Sequence, residues 1–430
     1  MTPRTEAALR TIWISGVFDI RNYGDALFPL LARHRLEPHG YEVRTVTPAG
    51  GACGWAECGP CTPAAALLSG DLPLHGLLIG GGNIVYGGIP ARALLRSAPS
   101  GAAADVADWG APAIWLAPML AAALHDVPVA WNAPGTPYPL TDRWRDLAQA
   151  AFRASSHVAL RDPASVTLAG APPDVSVVPD TAAALAAMWP LSALDPAFRS
   201  LLARKGIRPD ARFMAVHLRD RSLAPDTLPT LAAWLDGQSL ASGLVPLLVS
   251  IGPDLGDSDA LAALSRALGV PHLLLDDPLG PREIAAAIAH SDFYLGASLH
   301  GYVTAAAYGR PGLLVARPAH RKYGGFLAHL GRSGDLRRSW DEVMAAPLPG
   351  PGPASGIPGD LLAQLDGHWA SVLAAFADPA RHGAQRGEFL RRAVAAGLTD
   401  AAGPEWLLRP FLHDGPALTP RQATEGTTHD

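Results

Sequence analysis

Short apolar runs and longer amphipathic or alanine-rich stretches alternate along most of the chain. The short runs close on glycine, proline or a polar residue, the mark of strands buried on both faces. Thr11–Val17 reads as the first strand and Tyr41–Thr47 as the second. A third covers Gly76 to Asn83 and ends in three glycines. Ala113–Leu116, Pro128–Asn132, His157–Asp162 and Val175–Asp180 complete a first set. Helices are expected over Ala26–Leu36, capped by Asp25, over Leu140–Ala154 and over Pro163–Leu168. A second set of strands follows at Phe213–Asp220, Leu244–Ile251, His272–Leu275, Phe293–Leu295 and Gly312–Ala316. Its helices are Leu191–Lys205, Asp226–Ser239, Ser258–Leu268, Pro281–His290 and a stretch from Tyr302 to Gly309-Arg310-Pro311. Repeated βα order in both halves predicts an α/β protein of two doubly wound, Rossmann-like domains, residues 1–190 and 191–345, facing a cleft. Residues 346–430 divide into a Pro/Gly-rich linker at Pro347–Pro358, helices at Leu361–Phe376 and Glu388–Ala396, and a polar tail expected to be disordered.

Composition narrows the class. Of 430 residues, 49% are hydrophobic and 17% charged, enough apolar material for two packed cores. A net charge of −5 argues against a general nucleic-acid binder. The polar Met1–Arg10 fits no secretory signal, and the longest apolar stretch, Ile114 to Leu124, is too short to span a bilayer. A cytoplasmic protein is expected. Cys53, Cys58 and Cys61 are odd in number and imply no disulfide framework. Their C-x4-C-x2-C spacing invites an iron–sulfur or zinc reading, but no fourth cysteine exists and nothing aims His75 at them. No metal and no cofactor are expected.

Candidate chemistry collects at strand ends, where ligands bind in open α/β sheets. His300 falls where the strand at Phe293–Leu295 turns into a helix, whose free N–H groups suit a phosphate or carboxylate. It reads either as an acid/base group or as a capping histidine. The loop Phe18–Asp25, with Asn22, Gly24 and Asp25, has the outline of a phosphate- or sugar-binding βα turn, or of an ordinary capped turn. Gly80, Gly81 and Gly82, followed by Asn83, permit close backbone approach. Arg161 and Asp180 each close a strand, as ligand-facing groups or as a surface ion pair. His217 and Arg219 end another strand, and Arg317 to Tyr323 form a basic loop.

The loop Arg21-Asn22-Tyr23-Gly24-Asp25, the strand end Ile79-Gly80-Gly81-Gly82-Asn83, Leu160-Arg161-Asp162 with Ser165, and Val178-Pro179-Asp180 recur in order with Leu218-Arg219, Glu283, Ser298-Leu299-His300-Gly301 and Lys322-Tyr323. This ordered set resembles the polysaccharide pyruvyl transferase family over Thr11 to about Gly331. The resemblance implies a fold like the two-domain B-type glycosyltransferases. It also implies transfer of a pyruvyl group from phosphoenolpyruvate, as donor substrate, to two hydroxyls of a sugar of a surface polysaccharide or its precursor, giving a ketal and phosphate. His300 is then the acid/base candidate. Arg161, Arg219 and Lys322 are the anion clamps, with Arg317 and Arg321 behind them. Asn22, Gly24, Asp25, Gly80, Gly81, Gly82, Asn83 and Asp180 shape the substrate side, with Ser298 and Leu299 from the histidine motif. Many members carry arginine where this chain has Ser298, so another cation has to take its place or the donor differs. The alternatives are a nucleotide-sugar-dependent glycosyltransferase and a non-catalytic glycan-binding relative. Partners are a small-molecule donor and a sugar or glycan, with peripheral membrane contact at most.

Overall fold

The structure, a computed structural model, describes residues 9–87, 110–345, 348 and 356–399. Two sheets dominate it. The first runs β3-β4-β2-β1-β5-β6-β7-β8, with β1 Arg10–Ser15, β2 Tyr41–Thr47, β3 Gly51–Ala52, β4 Pro60–Pro63, β5 Gly76–Ile79, β6 Val129–Asn132, β7 His157–Leu160 and β8 Ser176–Val177. The second runs β11-β10-β9-β12-β13-β14, with β9 Phe213–His217, β10 Val245–Val249, β11 Leu273–Leu275, β12 Phe293–Gly296, β13 Gly312–Val315 and β14 Leu336–Arg337. Every pairing is parallel except the short β3–β4 ladder. Parallel strands need helical crossovers that cover both faces, which is why the inner strands β5, β6, β9, β12 and β13 are buried along their whole length, while the edge strands are partly exposed. This is the α/β fold expected, built as two doubly wound domains.

Both sheets reverse direction of winding at one place. In the first, β1 lies between β2 and β5; in the second, β9 lies between β10 and β12. The crevice at such a switch point is the natural ligand site. Loops 16–22 and 80–83 leave the first, and residues 218–222 and 297–298 leave the second.

One apolar core runs through both domains. Tyr23, Leu27 and Leu31, on one face of helix Tyr23–Leu36, join Ile284, Ile288, Leu299 and Val303 of two second-domain helices. The Tyr23 amide donates to the Ile251 carbonyl (2.9 Å), and its hydroxyl meets Thr304 Oγ1 (2.7 Å). Helix Leu191–Arg204 lies between the sheets in sequence and pairs Arg204 with the buried Glu283 at 2.9 Å. Helices Gly359–Ala377 and Gly383–Leu398 return to the first domain. Trp369, Val372 and Phe376 of the former pack on Ile12, Ile14 and Leu78, and Phe389 of the latter joins Trp115 and Trp131.

Several sequence expectations are corrected. Ala113–Leu116 is not a strand but part of helix Gly110–His125. An apolar run of that length with buried residues on every side has no period to tell helix from strand, and its length favours helix. Asp25 is not the cap: the helix starts at Tyr23 behind Asn22, so Asp25 sits in its first turn and Pro29 in its interior. The helix after β12 begins at Leu299 rather than Tyr302, and Lys322 and Tyr323 belong to helix Arg321–His329 rather than to a loop. The expected tail, Gly415–Asp430, lies outside the described residues, as does most of the linker.

Candidate active site

The histidine motif follows β12. Ser298 caps the next helix, its hydroxyl accepting from the Gly301 amide at 3.4 Å. That places His300 in the first helical turn, pointing back toward the amino-terminal domain. Its ring lies edge-on to Phe28, centroids 5.6 Å apart, and against Gly24. A Cβ on Gly24 would fall 2.5 Å from Cγ and Cε1 of the imidazole, and nearer still to Nδ1. Gly24 is therefore a cradle for His300. On the other side of the ring, Nε2 lies 3.3 Å from Asp180 Oδ2, and neither atom has a hydrogen-bond partner of good geometry.

Asp180 is 1% exposed and begins a short 3-10 turn, its Oδ1 accepting from the Ala182 amide. Burial opposes its ionisation, but His300 and Arg161 outweigh burial and hold the carboxyl below its ordinary range. Arg161 lies 3.8 Å from Asp180 through Nη1, donates a short hydrogen bond to Asn83 Oδ1, and makes no hydrogen bond through Nε. The Asp162 carboxylate stands 3.8 Å from that Nε while capping helix Pro163–Ala169. Gly135 leaves room for this group, since a Cβ there would meet Arg161 and Asn83.

Asp25 faces the same centre from the first domain. The Asn22 side chain donates to it through Nδ2, and Gly82, at φ +93°, brings its backbone close to Oδ1. Burial raises the Asp25 pKa; His300, Lys322 and Arg219 only partly offset this, and Asp180 adds to it. Two carboxyls against one imidazole are thus driven in opposite directions, a division that elsewhere separates acid from base.

Cations gather on the second-domain side. Arg219 is held by Asp257 (Nε to Oδ1, 3.4 Å), and Asp257 is itself fixed by His217 Nε2 at 2.9 Å and the Gly252 amide at 2.7 Å. Lys322 is pushed down to about 7, first by burial and then by Arg219 and Arg161. His320 is pushed down to about 4 by burial, Lys322 and Arg221. The mutual repulsion of these cations is what an anion placed among them would relieve.

The residues singled out in the sequence thus divide. His300, Asp180, Arg161, Asn83, Asn22, Asp25, Gly24 and Gly82 come together, with Arg219 and Lys322 on the second-domain side. Four others are structural. The Ser298 hydroxyl is occupied as a cap, and the Leu299 side chain is 2% exposed in the core. Gly80 and Gly81 admit Ser15 O and the Phe28 ring, each about where a Cβ would stand, at 2.5 Å. Arg221 and His320 were not singled out. Arg221 follows β9 by four residues, and its place after a strand end was the available signal. The three cysteines are buried and free. Cys53 is drawn down to about 7 by a hydrogen bond from Cys58, whereas burial lifts Cys61 to about 12. His75 accepts from the Thr11 amide at 3.0 Å, at the opposite end of the sheet. Among the described residues no group of three His, Cys, Asp or Glu is placed to hold a metal, and no helix is long and apolar enough to cross a membrane.

Two sheet domains with a polar centre between their switch points define the class, a two-domain, doubly wound α/β protein. The sequence profile of polysaccharide pyruvyl transferase matches residues 22–318, and the chain belongs to that family. It is thereby a transferase of the polysaccharide-biosynthesis kind. No curated protein sequence matches it. Solved structures with a similar course include the UDP-GlcNAc 2-epimerase from Neisseria meningitidis (12% identity, 91% of this chain and 100% of that one, TM-score 0.46). The glycosyltransferase SnogD from Streptomyces nogalater gives 16% identity, the same coverages and a TM-score of 0.40.

Proposed function

We propose that the chain transfers the pyruvyl group of phosphoenolpyruvate to two hydroxyls of a sugar, forming a cyclic ketal and releasing phosphate. The observation that carries this reading is the placement of one imidazole and two oppositely perturbed carboxyls against Arg161, Arg219 and Lys322. A donor with a phosphate and a carboxylate needs two cationic contacts, and a guanidinium grips either group in bidentate fashion. In the proposed sequence the donor's methylene carbon gains a proton and its C2 becomes electron-poor. The first sugar hydroxyl adds there and gives up its proton. Phosphate then leaves with the C–O bonding pair, the second hydroxyl adds, and its proton departs with the phosphate. The proton taken from the first hydroxyl balances the one delivered to carbon. Asp25, whose pKa burial raises, is the proton donor in this scheme. His300, kept in place by Asp180 and Gly24, is the base for the hydroxyl. Arg161, Arg219 and Lys322 stabilise charge on the departing phosphate.

The test is phosphoenolpyruvate-dependent phosphate release with a panel of glycosides, in the wild type and in His300→Ala. Phosphoenolpyruvate should raise the melting temperature of both forms, and turnover should survive in the wild type alone. Full activity in His300→Ala removes the role assigned to the imidazole. Stabilisation by a nucleoside diphosphate but not by phosphoenolpyruvate would point to a nucleotide-sugar donor instead.

A further inference from the structure

Helix Gly359–Ala377 lies outside the stretch matched by the family profile, yet it reaches the site's supports. Gln364 Nε2 donates to the carbonyl of Val177 at 2.7 Å, three residues before Asp180. One turn further on, on the same face, His368 Nε2 meets Asn132 Oδ1 at 3.0 Å. Asn132 in turn donates to Thr181 Oγ1 at 3.5 Å, immediately after Asp180. Behind His368, its Nδ1 lies 3.0 Å from His157 Nε2. The acceptor Oδ1 of Asn132 requires a proton on His368 Nε2. His368 Nδ1 is then the acceptor, and His157 has to donate. Burial keeps both rings neutral, with pKa values held down to about 4 for His157 and about 3 for His368. Asn132, Thr181 and His368 are all at least 97% buried, so this chain of bonds has no water to replace it.

We propose that helix Gly359–Ala377 orders the site: it grips Val177 through Gln364 and Thr181 through His368 and Asn132, on either side of Asp180, and so holds that carboxylate against His300. This rests on the function proposed above for its catalytic consequence, but not for the grip itself. Gln364 and His368 are positioning residues, since neither touches the reacting groups.

The test uses the full chain with Gln364→Ala, His368→Leu and His368→Gln. The glutamine variant retains an N–H donor for Asn132. In the leucine and alanine variants, hydrogen exchange at the Ala182 and Ala183 amides, both bonded to Asp180, should quicken at least tenfold, while β12 exchanges as before. The 13C-labelled His300 Cε1 resonance should move in those variants and return toward its wild-type position in His368→Gln. With phosphoenolpyruvate and an acceptor that the wild type uses, kcat should fall tenfold or more with the donor KM within about twofold. Gln364 is exposed, so its alanine variant remains informative if His368→Leu does not fold. Unchanged exchange and an unmoved His300 signal overturn the proposal. So does a disturbed Asp180 segment with unchanged kcat. A wild type inactive with phosphoenolpyruvate sinks the proposed reaction, while exchange and the His300 signal still decide whether the helix holds Asp180.

Discussion

Gly24→Ala separates the needs of the fold from those of the site. Gly24 is helical, so alanine there should favour the helix by about 1 kcal/mol. The new Cβ would stand 2.5 Å from two ring carbons of His300. An ordinary contact is about 3.5 Å, so the ring has to retreat by roughly 1 Å or more. The helix cannot yield instead, because Tyr23 beside it is tied to Ile251 and Thr304 across the domain boundary. A partly exposed imidazole can swing toward solvent, at an off-rotamer cost of about 0.5–1.5 kcal/mol. Gain and cost nearly cancel, so the melting temperature should stay within a few degrees of the wild type. Catalysis has no such compensation: a displacement of about 1 Å at a reacting group costs on the order of 100-fold. The assays are thermal unfolding, calorimetric binding of phosphoenolpyruvate, and phosphate release. Stability and donor binding should persist while kcat falls about 100-fold. Adding His300→Ala should cost little further, because both changes act on one group. A Gly24→Ala enzyme within a few-fold of wild-type kcat would refute the cradle argument.

Four further outcomes follow from the geometry. Lys322 has a folded pKa of about 7, against an ordinary 10.5. Between those values the unfolded chain carries a proton that the native chain lacks, so this residue makes stability increase with pH across that window; denaturation at pH 7 and 9 should show the slope, and Lys322→Met should lose it. The ammonium form is the one that holds an anion, so phosphoenolpyruvate affinity should weaken as pH rises above about 7, and calorimetry in buffers of different ionisation enthalpy should detect proton uptake. Ser298→Ala should cost about 1 kcal/mol of stability through the lost cap and leave donor affinity unchanged; a tenfold loss of affinity would mean that the hydroxyl touches the donor. Arg386 is fully buried and bonds Asp126 and the carbonyls of Arg381 and Pro379. Arg386→Met leaves those carbonyls unsatisfied and should cost about 2–3 kcal/mol in urea unfolding, with little effect on kcat at 25 °C.

What the sequence disclosed depended on how far each determinant reaches along the chain. Buried parallel strands announce themselves locally, as short apolar runs closed by glycine or a polar residue, so most strand ends and the two-domain order were legible. His300 and Arg161 were found because they sit on those ends. Glycine was ambiguous for a physical reason: one letter serves two purposes. Gly80 and Gly81 make room for Ser15 and Phe28, whereas Gly24 and Gly82 make room for His300 and Asp25, and only the opposing atoms distinguish the cases. The helix at Gly110–His125 was misread at Ala113–Leu116 because a run buried on all sides has lost its period. The role of residues beyond 346 was hidden because its determinants are remote: Gln364 and Val177 stand 187 positions apart, and His368 and Asn132 236 apart. Local pattern reports which residues form an element, but a carboxylate's exact bearing is set by bonds that no window of sequence contains. Asp180 illustrates the consequence: a strand-end rule located it, while the helix that grips the chain on both sides of it comes from the far end of the molecule.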